Sequence, residues 1–439
     1  MKTITQISKA LQTLFGKQAD QLARETGFIQ REVKVSGSNF AKTLVFGFLD
    51  NPKMSYREMS QAGVLSGLQI SAQGLEQKFS ATSAKFMQAI LGQAVQQMVR
   101  ASARMDVELL NRFERIHIQD GSVIGLPDEC VETWQGVRPK EKKGCSALRL
   151  HVSLEYKTGQ VAGPVVANGR EHDQKSPFFM QTLQADELRI TDLGFFKLEQ
   201  LEKDAQAGGF WIIRHKQDVI LYENGQELAL LPFLQKQRIP HIDIQVQVGK
   251  HHRLPCRLIA IQVDPQTAAQ RIRKLRQYAS KQNVTLTRER LQLAHWTLLL
   301  TNAPPERLTL VEVYALLRLR WQIELLFRLW KTYSLIDESQ SENPWRILTE
   351  IYAKLIAVLI QQWMLMASVW HTPEKSRVQA ALSIQKFALL LHLSLPDQVA
   401  LCATIATIVT FLQSAPALLK RKKRPSTIQI LRNPTLALC

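Results

Sequence analysis

Three carboxylates and two cations carry the chemistry open to this sequence. Arg320, Glu324 and Lys331 follow one another with three and then six residues between them, inside RWQIELLFRLWK. On a helix of about 3.6 residues per turn they fall within ~40° of one another. Arg and Glu four residues apart also make an ordinary surface ion pair, worth ~0.3–0.5 kcal/mol, so this spacing alone leaves both readings open. Asp120 sits in IQDGSVIGLP and Asp192 in RITDLGFF, each with a glycine within two residues. Asp120, Asp192 and Glu324 together form a donor set of oxygens only, without Cys or His. Such a set suits Mg²⁺ or Mn²⁺ and not Zn²⁺. Two ions of this kind activate a water or a 3′-hydroxyl and stabilise the leaving oxygen of an in-line phosphoryl transfer. Arg320 and Lys331 beside Glu324 would neutralise the phosphates.

These residues need elements to hold them. Residues 314–333 contain no Pro or Gly and read as one long amphipathic helix, with Leu319, Ile323, Leu326 and Trp330 on its apolar stripe. Residues 113–126 alternate apolar and polar, which predicts a strand ending near Asp120. Strands at 147–156 and 161–167 complete a three-strand antiparallel meander. A helix over 176–184, a short strand over 188–193, a helix over 197–207 and a strand over 210–216 follow. Asp192 lies at the end of the fourth strand, and Arg214 and Lys216 at the exit of the fifth are placed to meet phosphates. The order β-β-β-α-β-α-β predicts an α/β layer, in which strand ends are where sites are built. Aspartates after strands are also common turn formers.

The flanking regions differ in character. Residues 1–104 read as all helical. Within them YREMSQAGVLSG, a turn LQIS, and AQGLEQKFS, with Ser71 as N-cap, have the outline of a helix–turn–helix, a pattern that also arises from packing alone. Residues 218–305 read as short strands (VILYE, ELALL, IDIQVQV, CRLIAIQV, WTLLLT) interrupted by a basic helix, TAAQRIRKLRQYASKQ, and look like an insertion. After residue 343 come apolar helices over 345–370, 376–393 and 396–415, then the cationic run KRKKR at 420–424 and a tail containing proline. The resulting division is 1–104, helical; 105–216, the α/β layer; 217–305, a β-rich insertion; 306–340, the long helix; and 341–439, helical again.

Composition narrows the function classes. The chain has 439 residues, 45% hydrophobic and 21% charged, with net charge +18. That excess of cations favours a polyanionic partner, nucleic acid before a membrane surface. Five scattered cysteines make neither a zinc site nor a disulfide framework and fit a reducing cytoplasm. No run near residue 1 is long enough for a signal peptide, and the most apolar stretch, 348–370, carries Glu350, Lys354, Gln361 and Gln362 and reads as a buried helix. There is no GxxxxGK[ST] loop for a nucleotide. Ser122 lacks nucleophile-elbow geometry, and His251-His252 has no further ligand cluster.

Against that background the chain resembles the DDE transposases of bacterial insertion sequences, and within them insertion-sequence family four. The hallmark of that family is Tyr-x2-Arg-x3-Glu-x6-Lys. Arg320, Glu324 and Lys331 match it, whereas the tyrosine's place is held by Leu317, with Tyr314 one turn earlier. A tyrosine hydroxyl that touched DNA in relatives would have no counterpart in Leu317. IQDGSVIGLP and RITDLGFF resemble the two aspartate blocks, HWTLLLTN supplies Trp296, and ARETGFIQREVKVSGSNFAKTLVFGFL extends the likeness toward the start. The resemblance implies an α/β, ribonuclease H-like catalytic domain with a β-rich insertion after its fifth strand, flanked by N- and C-terminal helical domains. It implies that 105–216 and 306–340 are the two parts of a catalytic core around the insertion, 1–104 a DNA-binding domain, and 341–439 a packing or dimerisation domain. It implies that Asp120, Asp192 and Glu324 hold two Mg²⁺ (or Mn²⁺) ions, and that Trp296, otherwise a strand core aromatic, stacks on a flipped base. Cut-and-paste transposition through a DNA hairpin would follow, on double-stranded DNA in terminal inverted repeats and target. The protein would act as a homodimer in the bacterial cytoplasm, without membrane or nucleotide cofactor. Two other readings share these residues: a metal-dependent nuclease of the same fold without strand transfer, and a DNA-binding relative that has lost catalysis.

Overall fold

Five helices begin on a Ser or Thr whose hydroxyl accepts from the third backbone N–H while the third residue's side chain answers: Ser36 with Asn39, Ser55 with Glu58, Ser80 with Ser83, Thr309 with Glu312, and Ser426 with Gln429. The computed structural model describes residues 2–31, 34–137, 145–415 and 425–438. The cationic run 420–424 lies outside them. Helices α1 to α6 are Lys2–Phe15, Lys17–Glu25, Gly37–Asp50, Tyr56–Leu65, Ala72–Glu76 and Ala81–Gln96. Then come α7 (Glu108–Asn111), β1 (Ile116–Leu126), β2 (Ser146–Glu155), β3 (Gln160–Asn168), α8 (Pro177–Met180), β4 (Leu188–Ile190), α9 (Leu198–Gln206) and β5 (Phe210–Arg214). The next stretch holds β6 (Leu221–Glu223), β7 (Gln226–Glu227), α10 (Leu230–Lys236), β8 (His241–Val248), β9 (Leu254–Gln262), α11 (Pro265–Gln282), α12 (Arg288–Leu293) and β10 (Trp296–Thr301). Helices α13 to α19 are Leu310–Leu317, Arg320–Tyr333, Pro344–Ser368, Arg377–Gln385, Ala388–Ser394, Gln398–Ser414 and Thr427–Arg432.

The fold is mixed α/β. One ten-stranded sheet runs β3-β2-β1-β4-β5-β10-β9-β8-β6-β7, with helices flanking it. β1, β4 and β5 are parallel neighbours, Ile118 opposite Ile190 and Ile190 opposite Ile212. Parallel strands joined through helices are covered on both faces, and accordingly every residue of β4 is buried. β10 is antiparallel to both β5 and β9, so the strands expected in an insertion continue the same sheet.

Five local expectations are corrected. β1 does not end near Asp120 but runs to Leu126, because Ile124 and Leu126 go on burying apolar surface and a sheet position outweighs the turn preference of Asp-Gly. The helix expected over 176–184 is only four residues long. The buried Arg189 guanidinium donates to the carbonyls of Phe179 and Gln181 at 2.6 and 2.5 Å, and the Asp204 carboxylate accepts from Leu183 N at 3.0 Å, so those backbone groups are not available to a helix. ELALL is a strand only at its first residue and then enters α10, whose first turn accommodates Pro232 where no donor is needed. The long helix over 314–333 is two helices: Arg318 N and Leu319 N bond the carbonyls three residues back, tightening the turn between α13 and α14. Lys386 and Phe387 interrupt 376–393 in the same manner.

The chain separates into two compact units, 1–106 with 120–171 and 321–424, and 107–119 with 172–320 and 425–439. In the first, α15 is the centre, packed by α6, α3, α16, α18 and β3. It is long and apolar enough to cross a bilayer, yet 94% of its most apolar window is buried within the protein, in agreement with the reading as a core helix. Its internal charges are matched: Arg346 Nε reaches Glu350 Oε1 at 2.6 Å, and Lys354 Nζ donates to the carbonyls of Leu335 and Glu338. In the second, Trp211, Ile213, Leu258 and Leu300 form the heart of a cluster under β5, β9 and β10.

Candidate active site

Asp120 occupies the middle of β1, half-buried, with Oδ1 accepting from Gly121 N at 2.8 Å. On the same unit α14 buries Ile323, Leu326 and Trp330, as its periodicity requires, and leaves Glu324 half-buried on another face. Lys331, two turns beyond Glu324, donates from Nζ to the Val123 carbonyl of β1 at 2.8 Å and lies 3.8 Å from Asp337. The structure therefore brings Lys331 to the strand of Asp120, within three residues of it.

Asp192 lies in the other unit, just past β4, where it caps a short turn over Leu193–Phe195 by accepting from Leu193 N at 2.9 Å. The strand end is set from behind by the Arg189–Asp204 pair, 3.3 Å apart and buried to the last few per cent on both sides. Burial pushes the Arg189 guanidinium down and the Asp204 carboxyl up, each countered in part by the other's charge. Arg320, the first residue of α14, reaches Asp192 with Nη1 to Oδ2 at 3.8 Å. So the sequence-distant pair Arg320 and Asp192 meet, at a distance that is long for an ion pair.

The donor set of Asp120, Asp192 and Glu324 fits a hard divalent cation chemically. Among the described residues, however, no three His, Cys, Asp or Glu side chains stand close enough together to hold a metal as they are. One of the candidate ligands, Asp192, is turned toward Arg320 instead.

A second group forms where β5 and β10 run side by side. Trp296 opens β10 opposite Gln262, half-buried against the small cluster of Leu234, Ile242 and Ala260. Arg214 pairs with Leu299 across the ladder and is exposed, as is Lys216 beyond it. Sequence reasoning missed Arg271. From α11 its Nη1 donates to the Trp296 carbonyl at 3.0 Å and its Nη2 to Thr297 Oγ1 at 2.9 Å. Burial lowers its pKa, and the neighbouring Arg214 charge lowers it further. No sequence signal separated Arg271 from the other cations of α11, since at about 100° per residue Arg271 and Arg276 lie equally close to its apolar stripe.

The remaining candidates resolve simply. Leu317 is buried at the end of α13, so that position is a packing position here. Ser71 caps α5 by accepting from Gly74 N at 3.1 Å, as expected. His252 pairs with Glu202 at 2.9 Å.

Comparison with known proteins places these residues in context. The family profile described as "Transposase DDE domain" matches residues 111–360. The transposase of insertion sequence element IS231F from Bacillus thuringiensis subsp. israelensis is 26% identical over 367 residues, covering 78% of this chain and 76% of the relative. That of IS1151 from Clostridium perfringens is 22% identical over 395 residues, with 84% and 82% covered. The putative transposase InsL of IS186A from Escherichia coli K12 is 25% identical over 273 residues, with 60% and 69% covered.

Proposed function

The chain belongs to the DDE transposases of insertion sequences, and from that premise we propose how its residues divide the work of DNA transposition. Membership implies a DNA-cutting and joining enzyme that depends on a divalent metal. We assign Asp120, Asp192 and Glu324 as the carboxylates that hold Mg²⁺ or Mn²⁺, two ions per site. The ions would supply Lewis-acid activation of a water or 3′-hydroxyl and stabilise the leaving oxygen. Arg320 releases Asp192 and turns to the DNA phosphate, and Lys331 neutralises a neighbouring one. Arg214 and Lys216 hold the flanking backbone, and Trp296 takes up an extruded base by stacking.

The reaction proceeds as a series of in-line displacements. Water attacks the phosphodiester at the element end and frees a 3′-OH. That hydroxyl attacks the opposite strand, giving a hairpin whose hydrolysis restores a 3′-OH, and the 3′-OH then displaces a 3′-oxygen in target DNA. Every step exchanges one phosphoester bond for another or for water, so no nucleotide cofactor is needed.

The half-sheet β3-β2-β1-β4-β5 with α8 and α9 supports a ribonuclease H-like catalytic core, with residues 217–305 as its insertion. Residues 1–104 are then the DNA-binding domain, through α4 and α5, and residues 341–439 the packing or dimerisation domain. Exposed Leu389, Leu390 and Leu393 on α17 favour a protein contact there. A homodimer pairing two element ends at the nucleoid follows.

What supports the assignment is the Arg320–Asp192 contact, in which the arginine of the Arg-x3-Glu-x6-Lys motif meets the second aspartate block, both inside the family match. The test is a duplex carrying the element's own end, incubated with Mg²⁺ or Mn²⁺ without ATP. Asp120→Asn, Asp192→Asn and Glu324→Gln are each expected to lose nicks, hairpins and joined products while still binding DNA. Equal products from wild type and Glu324→Gln would remove Glu324 from the site. Cleavage without joining would identify a nuclease, and binding without cleavage a relative that has lost catalysis.

A further inference from the structure

The expected basic helix in the inserted region has no role in the chemistry above. α11 carries Arg271, Arg273, Lys274, Arg276 and Lys281 and not one carboxylate. At about 100° per residue, Arg273, Lys274, Arg276 and Lys281 share ~160° of its surface, all four exposed. Ala268, Ile272, Leu275 and Ala279 lie on the opposite side, where Ala268 and Ala279 are buried. Among the described residues, none of the four outward cations stands within ion-pair distance of an Asp or Glu.

A solvated helix face ordinarily mixes both signs, so four cations without such partners repel one another and cost stability. Two features say what that face is for. First, the inner side of α11 is narrow, made of small and medium apolar residues, and spent on the protein. Ala268 and Ala279 are buried and Ile272 and Leu275 half-buried, which leaves Tyr278 as the one large apolar side chain exposed on α11, far short of the broad apolar face that a membrane-lying basic helix requires. Second, α11 is locked to the start of β10: Arg271 bonds the Trp296 carbonyl and Thr297 Oγ1, and Arg214 stands near Arg271. The outward cations thus stand on a helix fixed to the strand that Trp296 opens. From Arg273 to Lys281 the row is about 12 Å long, comparable with the ~12 Å width of a major groove.

We propose that the outward face of α11 is a sequence-independent clamp for the phosphate backbone of double-stranded DNA, holding the duplex that flanks the base taken up at Trp296. The proposal rests on the transposase reading for which duplex it holds, but its physical claim is only that Arg273, Lys274, Arg276 and Lys281 touch phosphates.

Counterion release tests it. Each phosphate that the protein no longer neutralises lowers the slope of log K against log salt by about 0.9. Full-length protein is titrated with a 40-bp duplex of arbitrary sequence over a salt series. One variant combines Arg273→Gln, Lys274→Gln, Arg276→Gln and Lys281→Gln. A control of equal charge change combines Lys203→Gln, Lys236→Gln, Arg238→Gln and Lys250→Gln, all exposed in the same unit. The α11 variant is expected to have a slope smaller by about 3 and to bind about tenfold or more weaker at 0.1 M salt, and the control to change Kd less than about threefold. Should the fourfold variant fail to fold by circular dichroism, Arg273→Gln and Lys281→Gln alone are each expected to lower the slope by about 1. An unchanged slope, or an equal reduction in the control, overturns the clamp. So does loss of binding to phosphatidylserine vesicles with DNA binding intact. Wild-type protein that binds no duplex at all rejects the transposase reading itself, a different outcome from wild-type binding that the α11 variant preserves.

Discussion

At the scale of single residues, the contact between Arg320 and Asp192 makes a candidate metal ligand and a candidate phosphate-binding cation compete for each other. Their side chains are 17% and 45% exposed, so water screens the pair and it holds Asp192 only loosely. Removing Arg320 frees the carboxylate and deletes the cation that would meet DNA. Arg320→Ala is therefore expected to lower the Mn²⁺ concentration giving half-maximal cleavage severalfold while slowing cleavage at saturating metal. Arg320→Lys, which keeps the charge but not the planar fork, is expected to fall between. A metal titration of cleavage rate decides it; an unmoved midpoint in Arg320→Ala would show that Arg320 has no hold on the metal ligand.

At the scale of elements, the β2–β3 hairpin is pinned to α15 and the turn after it. Gly159 in the hairpin turn has φ +79°, Gln362 donates to its carbonyl at 2.5 Å, and Trp370 Nε1 donates to the Tyr156 carbonyl at 2.8 Å. A Cβ on Gly159 would stand 2.3 Å from Trp370 Cδ2, an indole atom held in place by that bond. Left-handed strain and overpacking both apply. Gly159→Ala is expected to cost about 2–4 kcal/mol, read as a lower thermal or urea midpoint. A midpoint equal to wild type would mean that the hairpin and Trp370 separate at little cost. Since β2 neighbours β1 in the sheet, a loosened hairpin is also expected to reduce cleavage.

For the whole molecule, net charge +18 predicts steeply salt-dependent association with DNA, and one buried histidine predicts the acid limit of the fold. His392 lies beside Ser66 at 2.8 Å and stacks on Phe46. Burial, and then the Lys42 charge, lower its pKa from 6.5 to about 4. The unfolded chain takes up this proton as pH falls through 6.5, and the folded protein does not until about 4. The stability tied to a neutral His392 is therefore complete above pH 6.5 and is lost progressively between 6.5 and 4, by about 3 kcal/mol in all. His392→Gln keeps a hydrogen-bonding side chain without the titration, and its urea midpoint is expected to depend less on pH in that window. A pH profile identical to wild type would place the acid sensitivity elsewhere.

The residues of this chain determined by themselves what is short in range. The spacing of Arg320, Glu324 and Lys331, the aspartate blocks, the apolar stripe of Ile323, Leu326 and Trp330, and the Ser71 cap are local patterns, and they were enough to identify the family and the α/β class. The tertiary structure decided whatever depends on which distant groups meet. It carried β1 past an Asp-Gly that reads as a turn, because a sheet neighbour rewards continued burial of Ile124 and Leu126. It ended α8 after four residues, because Arg189 and Asp204 take the backbone groups that a longer helix would use. It turned Asp192 to Arg320 and fastened Arg271 to the first strand residue of β10. Periodicity and propensity act over a few residues, whereas an ion pair or a buried guanidinium is satisfied by whatever packing brings within about 3–4 Å of it.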